Sequence, residues 1–269
     1  MNPNGIAIGH GSAWVAQGTQ NTVSRIDLET NKVTSTIKVG KMPVHIAVSD
    51  DAVWVSNRDD NTVTRIDPVT NKVVTTIPVG KAPLKLVSTG YDIWVVNYIS
   101  NTVSRINAQT NQVTATIAVG KNPVNIAFGK EAIWVANNGD DTISRIDIKT
   151  NQLVGKPVFS GQGANYIRVD GGFVWIANYL DKSLSKINPT TNELVDKLPL
   201  NAKPGAFEIL EDGFWVAQDD NKVYKIDPLK NTVLTQIPVG YTVGIAENKG
   251  ILWVTGAYEN AIFKIDIKE

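Results

Sequence analysis

The chain has 269 residues, with 26 basic and 26 acidic side chains and therefore no formal net charge. This balance lacks the positive patch on which nucleic-acid binding depends, and no apolar stretch is long enough to span a membrane, so neither partner is expected. The absence of cysteine excludes disulfides, thiol nucleophiles and thiolate metal sites.

Residues 43–80 form the unit from which the chain is built. Four short runs in it are rich in Val, Ile, Thr and Trp, and none repeats apolar residues at helical spacing. The unit therefore predicts a four-stranded antiparallel meander. One tryptophan marks each copy of the unit: Trp14, Trp54, Trp94, Trp134, Trp175, Trp215 and Trp253.

The spacing of these tryptophans is 40, 40, 40, 41, 40 and 38 residues. A period near 40 with four strands per unit predicts an all-β fold, a seven-bladed β-propeller whose twisted sheets surround a central channel. We expect one domain over residues 1–269, with blades at about 1–40, 41–80, 81–120, 121–161, 162–201, 202–240 and 241–269.

An asparagine recurs where the third and fourth runs of each unit are joined. In the segment 67–71, Pro68 can fix φ at the second turn position and Asn71 can adopt the left-handed conformation that ends the hairpin. We interpret the repeated asparagine as a turn-forming residue rather than as part of a binding site. The set is Asn31, Asn71, Asn111, Asn151, Asn192 and Asn231.

Three motifs, WVAN at 134–137, TVSRID at 22–27 and TIPVGKAP at 76–83, resemble the YVTN-type propeller repeat, with Trp where that family usually has Tyr. The likeness covers the whole chain and implies a propeller of four-stranded blades. Together with the absence of cysteine, it also implies an extracytoplasmic location, either periplasmic or secreted. It says little about activity, because propellers host many unrelated functions.

The sequence starts at the first strand of unit one and stops after the third strand of unit seven. We therefore expect the last blade to lack its outer strand within this sequence. Either an upstream segment of a longer precursor, following a secretion signal, is expected to supply this strand, or the seventh blade is expected to have only three strands.

A basic residue recurs in the third strand of every unit, two positions before an Asp or Asn. A charge repeated seven times is best explained by the scaffold, as an ion pair or as a stem lying over a neighbouring Trp. The set is Arg25, Arg65, Arg105, Arg145, Lys186, Lys225 and Lys264.

Departures from the repeat indicate where function can reside. The loop before the first strand and the loop between the second and third strands should emerge together around the channel mouth. Two residues after the Pro that begins the first strand, or after its equivalent in units that lack it, the units carry Gly5, His45, Lys85, Asn125, Tyr166, Ala206 and Gly244. Two residues further on they carry Ala7, Ala47, Val87, Ala127, Arg168, Glu208 and Ala246.

We expect the polar members of these rings, hereafter the polar arc, to line half of the mouth, while small residues leave space opposite. The polar arc consists of His45, Lys85, Asn125, Tyr166 and Arg168. Arg168 and Glu208 lie on adjacent blades and could pair. The alternative is a buried ion pair that replaces two alanines, with the other residues as a solvated rim.

The second set of loops opens with a recurrent Asn or Gln, which we expect to cap the loop. The variable residue that follows is the better candidate for contact with a ligand. Tyr98 and Tyr179 could offer a flat amphipathic surface to a sugar, a peptide or an aromatic ligand, although exposed loop tyrosines are common. The set comprises Arg58, Asp59, Tyr98, Asn138, Tyr179 and Asp219.

Catalytic and metal-binding patterns are scarce. His45 is the only histidine placed to act as a general base, since His10 should lie in a turn on the opposite face. Two histidines cannot form a histidine-cluster metal site. Three acidic pairs could bind calcium, but their spacing favours solvated turns: Asp59-Asp60, Asp140-Asp141 and Asp219-Asp220.

The chain also resembles the virginiamycin B lyase group, seven-bladed propellers that open a cyclic antibiotic's ester by elimination with a histidine, acidic residues and magnesium. The catalytic histidine of that group lies in the late blades, whereas no histidine follows His45 here. No catalytic residue is therefore transferred. A lactonase-type metal site is not favoured either, because Glu208 is the only acid in the two rings.

We therefore expect a monomeric binding or scaffolding propeller that uses the channel mouth to bind a small molecule or a protein, without a cofactor. The alternatives are a lyase or hydrolase, for which a divalent cation is possible, and a structural surface or envelope repeat protein. The candidate binding residues are His45, Lys85, Asn125, Tyr166, Arg168, Glu208, Arg58, Tyr98 and Tyr179.

Overall fold

The fold is a seven-bladed β-propeller, as the tryptophan spacing predicts. The computed structural model describes residues 3–210, 213–227, 230, 232–256 and 261–267. Each blade is an antiparallel sheet in which sequence neighbours pair, and the first strands of adjacent blades contact each other around the whole ring. The contact between the first strands of blades one and seven closes that ring.

The first four blades contain strands β1 to β17 and one short 3-10 helix. Blade four has its outer strand split into two short pieces around Pro157. The strands are β1 Pro3–Gly9, β2 Ser12–Gln17, β3 Thr22–Asp27 and β4 Val33–Lys38, with the helix at Gly18–Gln20; β5 Pro43–Val48, β6 Val53–Asn57, β7 Thr62–Asp67 and β8 Lys72–Pro78; β9 Pro83–Ser88, β10 Asp92–Asn97, β11 Thr102–Asn107 and β12 Gln112–Ala118; β13 Pro123–Gly129, β14 Ala132–Asn137, β15 Thr142–Asp147, β16 Gln152–Leu153 and β17 Val158–Phe159.

The last three blades follow the same order. Among the described residues, the seventh blade has three strands. The strands are β18 Ala164–Asp170, β19 Phe173–Asn178, β20 Ser183–Asn188 and β21 Glu193–Pro199; β22 Pro204–Leu210, β23 Gly213–Gln218, β24 Lys222–Asp227 and β25 Thr232–Pro238; β26 Thr242–Asn248, β27 Ile251–Gly256 and β28 Ala261–Asp266. No helix in these described ranges is long and apolar enough to cross a membrane.

The core lies between blades rather than within them. Trp14 of the first blade packs with Ile46 and Val55 of the second, and equivalent clusters fill the other interfaces. All six residues of β2 are buried, because both faces of a middle strand are covered by neighbouring blades. This explains why the sequences of the middle strands are mainly apolar and do not alternate between apolar and polar residues.

The turn asparagines adopt the predicted left-handed conformation. Their φ angles are 58° at Asn31, Asn71 and Asn111, and 59° at Asn151 and Asn192. In the same turns the Asp or Asn four positions earlier accepts backbone hydrogen bonds, as Asp67 does from Val69 at 2.7 Å and Asn107 does from Gln109 at 3.0 Å. The prediction for Asn231 falls outside the described residues.

The recurrent basic residue lies over the tryptophan of its own blade, as predicted. The distance from the charged group to the ring centroid is 5.0 Å for Arg25, 5.3 Å for Arg65 and 5.0 Å for Arg105. The other four members are placed similarly, at 5.1 to 5.6 Å from their rings: Arg145, Lys186, Lys225 and Lys264.

Three of these arginines also join adjacent blades, which the sequence interpretation missed. Arg105 Nη1 donates to the carbonyl of Ile148 and to Asn151 Oδ1, both at 2.8 Å. Arg25 and Arg65 make the same pair of bonds to the blade after their own. The turn asparagine is therefore both a turn residue and an acceptor for the preceding blade.

We predict that Arg105→Leu lowers the free energy of unfolding by about 3 kcal/mol, measured by urea denaturation. The substitution breaks the two bonds to the next blade and the ion pair with Asp92, which is 2.6 Å long and nearly buried.

Arg145→Leu is the matched control. Arg145 lies 5.2 Å from the Trp134 centroid, but Asn192 in the next blade bonds to the carbonyls of Val154 and Lys156 instead. The control should lose only about 1 kcal/mol. Equal losses in the two variants would show that the contacts between blades contribute nothing beyond the tryptophan contact.

Candidate functional site

The central channel contains a cavity of about 790 Å³. Its walls come from the first strands of all seven blades, β1, β5, β9, β13, β18, β22 and β26. This volume lies within the range of cavities that hold small organic ligands. All five residues of the polar arc line this cavity.

Blades one, six and seven carry small residues at the cavity wall. Gly5, Ala206 and Gly244 line the cavity where other blades carry long polar side chains. At Gly5 the first two blades approach so closely that a Cβ would lie 2.7 Å from the carbonyl oxygen of Val44. A side chain at this position would therefore push the first strands of the two blades apart.

Arg168 and Glu208 form the predicted ion pair. The Nη2 to Oε1 distance is 2.7 Å and the Nε to Oε2 distance is 3.4 Å, so the guanidinium meets the carboxylate through two atoms. The side chains are 24% and 22% exposed, which places the pair at the cavity wall rather than in the core. The Glu208 carboxylate is therefore occupied by its ion pair with Arg168.

His45 lines the cavity on the second blade. Its Nδ1 atom is buried and has no hydrogen-bond partner in the described part of the chain. Burial, and then the positive charges of Lys85 and Arg168, hold the pKa of His45 well below its usual value of 6.5. The imidazole is therefore neutral at neutral pH, as a general base or a hydrogen-bonding group needs to be.

Lys85 extends from the third blade toward the fifth. Its Nζ atom lies 5.6 Å from the centroid of the Tyr166 ring, which is a cation–π distance. Burial is the main cause that lowers the pKa of Lys85 well below 10.5; Arg168 lowers it further, and Glu208 opposes the shift. No carboxylate in the described ranges lies within ion-pair distance of the Lys85 ammonium.

Tyr166 joins the central cavity to a second, smaller space at the rim. Burial, with a further contribution from Tyr241, raises the pKa of Tyr166 to about 12, so the phenol stays protonated. The second space, hereafter the tyrosine cleft, measures about 70 Å³ and is lined by Tyr166, Tyr179, Tyr241 and Lys203 among others. Lys203 Nζ lies 4.8 Å from the Tyr179 centroid.

The remaining candidates lie in different places. Asn125 is buried, and its side-chain oxygen accepts a hydrogen bond from the backbone of Ile126 at 2.9 Å. Arg58 pairs with the adjacent Asp59 at 2.8 Å on an exposed loop. Tyr98 follows β10 in the corresponding loop of the third blade, and its backbone N–H bonds to Ala82. Neither Arg58 nor Tyr98 lines the central cavity or the tyrosine cleft.

Sequence reasoning missed Lys203 and Tyr241 in the tyrosine cleft. Both directly precede the first strand of their blade, where earlier blades carry Met42, Ala82 and Asn122. Comparing this position across the repeats would have shown the same break in pattern that revealed the polar arc.

The acidic pairs hold loops together. Asp60 accepts a bond from the backbone of Lys41 at 2.7 Å, and Asp140 accepts one from Lys121 at 2.9 Å. Asp141 accepts one from Gly163 at 2.7 Å. Within the described ranges, no group of three or more His, Asp or Glu residues could hold a metal ion. These residues therefore do not fit a calcium or magnesium site.

No family model matches the chain, and no curated protein sequence matches it. Solved structures with the same fold include the hydrazine synthase of Kuenenia stuttgartiensis, with a TM-score of 0.87 and 13% identity over 99% of this chain and 96% of that one.

Two lyases are also structurally similar to the chain. They are the virginiamycin B lyase of Staphylococcus aureus, with a TM-score of 0.83 and 20% identity over 98% of this chain and 94% of that one, and a streptogramin B lyase, with a TM-score of 0.84 and 21% identity over 98% and 92%. At these identities the likeness establishes the seven-bladed propeller fold but not the activity.

We predict that the double variant Arg168→Ala with Glu208→Ala is more stable than either single variant. Each single change leaves one partly buried charge without its partner, whereas the double change restores the alanine that blades one, two, four and seven carry at this position. Thermal unfolding of the four proteins provides the test. Additive losses would mean that the two side chains do not interact.

We also predict that His45→Gln makes stability less dependent on pH in mildly acidic solution. Because the folded protein holds the pKa of His45 below 6.5, the unfolded chain binds a proton at His45 first as the pH falls, and this favours unfolding. The free energy of unfolding of the parent should therefore fall between about pH 7 and about pH 5, by at most about 1.4 kcal/mol per pH unit from this residue. Urea denaturation across this range should give a shallower slope for the variant, and parallel slopes would contradict the shift.

Proposed function

We propose that this propeller binds a small molecule in its central cavity and recognises it through the polar arc. The observation that carries the proposal is the convergence of non-repeating residues. His45, Lys85, Asn125, Tyr166 and Arg168 come from four consecutive blades, and all line one cavity of about 790 Å³.

The chemistry of the polar arc supports binding rather than structural support. The repeated contacts between blades, made by the arginines, tryptophans and turn asparagines, already stabilise the ring. The fold does not require long polar side chains on the inner strands, because other blades carry Gly5, Ala47 or Gly244 at equivalent positions. Buried polar groups are costly unless they have partners, and a ligand would supply partners.

A cavity of this size also favours a small molecule over a purely structural role. A surface or envelope repeat protein needs no ligand-sized space, and a protein partner would contact the rim rather than the channel. The proposed site lies in a protein for which we propose an extracytoplasmic location, with which the absence of cysteine is compatible.

A lyase activity is the second candidate, since two structurally similar proteins are a virginiamycin B lyase and a streptogramin B lyase. His45 is the one residue of the polar arc that could act as a general base. The described residues do not provide the acidic groups for a magnesium ion, because Glu208 is paired with Arg168. We therefore assign no catalytic step, and binding is the better supported function.

A thermal-shift screen against metals, sugars, nucleotides and cyclic depsipeptides tests the proposal. A ligand at about 100 times its Kd should raise the melting temperature of the parent by about 5–10 °C, because it binds only the folded state. The same ligand should give little or no shift with His45→Ala or Tyr166→Ala.

His10→Asn is the matched control. His10 lies in the turn between β1 and β2, at the other end of the channel, with a φ of 50° that asparagine tolerates. This variant should retain the full shift. A shift that survives in all three variants would place the ligand elsewhere, and no response to any class of compound would contradict the proposal.

A further inference from the structure

One positive charge in the cavity has no negative partner. Arg168 and Glu208 neutralise each other through two contacts of 2.7 and 3.4 Å. Lys85 forms no ion pair with any described residue, and its Nζ lies instead at 5.6 Å from the Tyr166 ring. A partly buried ammonium that has only a ring face as its partner is poorly compensated, since a cation–π contact replaces little of its lost hydration.

The neighbouring blade contributes a second group without a partner. His45 lines the same cavity, and its buried Nδ1 atom has no hydrogen bond to any residue in the described part of the chain. The charge of Lys85 is the second cause, after burial, that lowers the pKa of His45. A negative group between the two side chains would oppose these shifts and would raise both pKa values.

The other acid on the cavity wall does not neutralise Lys85. Glu247 lies near the end of β26, and its Oε1 atom accepts a bond from the backbone of Gly250 at 2.7 Å. Glu247 is not among the groups that shift the pKa of Lys85, whereas Arg168 and Glu208 are. Among the polar arc and Glu208, Lys85 is therefore the charged side chain that has no ion-pair partner in the described ranges.

The shape of the cavity limits the kind of anion. A volume of about 790 Å³ is far larger than an inorganic ion requires, and Ile6, Val44 and Leu84 contribute apolar wall beside the polar arc. The flat ring of Tyr166 adjoins both this wall and the tyrosine cleft. These features suit an organic body with a single negative charge.

We propose that the cavity binds an organic monocarboxylate, whose carboxylate is held by Lys85 and His45 and whose apolar or aromatic body lies against Tyr166. This inference rests on the proposed function, and it names the chemical class of the ligand. One ammonium without an ion-pair partner in the described ranges favours a monoanion over a phosphate dianion.

Isothermal titration with matched probes tests the inference. The probes are acetate, phenylacetate and naphthylacetate as carboxylates of increasing size, phenylacetamide as the neutral analogue, phenethylammonium as the cation, and inorganic phosphate. We expect the aromatic carboxylates to bind about 10- to 100-fold more tightly than phenylacetamide, because the amide lacks the charge that Lys85 would meet. Acetate and phosphate should bind more weakly than phenylacetate.

Three variants assign the effect to Lys85. Lys85→Met keeps the length of the side chain and removes its charge, so the affinity for the best carboxylate should fall about 10- to 100-fold. Lys85→Arg keeps the charge and should retain a larger part of the affinity than Lys85→Met. Lys81→Met removes an exposed lysine from the same blade and should leave the affinity unchanged.

The outcomes separate this inference from the proposed function. Equal binding of phenylacetate and phenylacetamide, or full affinity in a folded Lys85→Met, overturns the carboxylate assignment. If no carboxylate binds but another class of compound raises the melting temperature through His45 and Tyr166, the inference is wrong and the proposed function stands. If no probe and no class in the thermal screen binds, both are wrong.

Discussion

The arginine that joins one blade to the next is the contact on which the rest of the structure depends. Arg65 lies over Trp54 of its own blade and donates to the Ala108 carbonyl and the Asn111 side chain of the following blade. One side chain thus fixes the distance and the rotation between two sheets. The planar guanidinium can stack on a ring and still reach two acceptors, a combination that lysine cannot reproduce.

Because these outer contacts stabilise the ring, the inner strands are free to vary. The first strands need only small residues to pass one another, as the close approach at Gly5 illustrates. Five long polar side chains nevertheless occur there on consecutive blades, and they share one cavity. The repeated residues thus fill the interfaces between blades, and the unrepeated polar residues line the channel.

Repetition also explains how far the sequence alone could lead. The tryptophan spacing predicts seven blades, and the aligned positions of Arg168 and Glu208 predict their pairing, because equivalent residues of adjacent blades lie side by side. The second role of Asn111 could not be predicted, since the repeat fixes positions within a blade but not the distance to the next. For the same reason Tyr98 was correctly assigned to a loop, but its distance from the channel was not predictable.

A crystal structure of the protein with naphthylacetate most directly tests the claim that unrepeated inner residues form a binding site. We expect the carboxylate within hydrogen-bond distance of Lys85 Nζ and the ring system against Tyr166, inside the central cavity. Binding of naphthylacetate on the outer strands, or a cavity that holds only water while the compound is bound elsewhere, would contradict it.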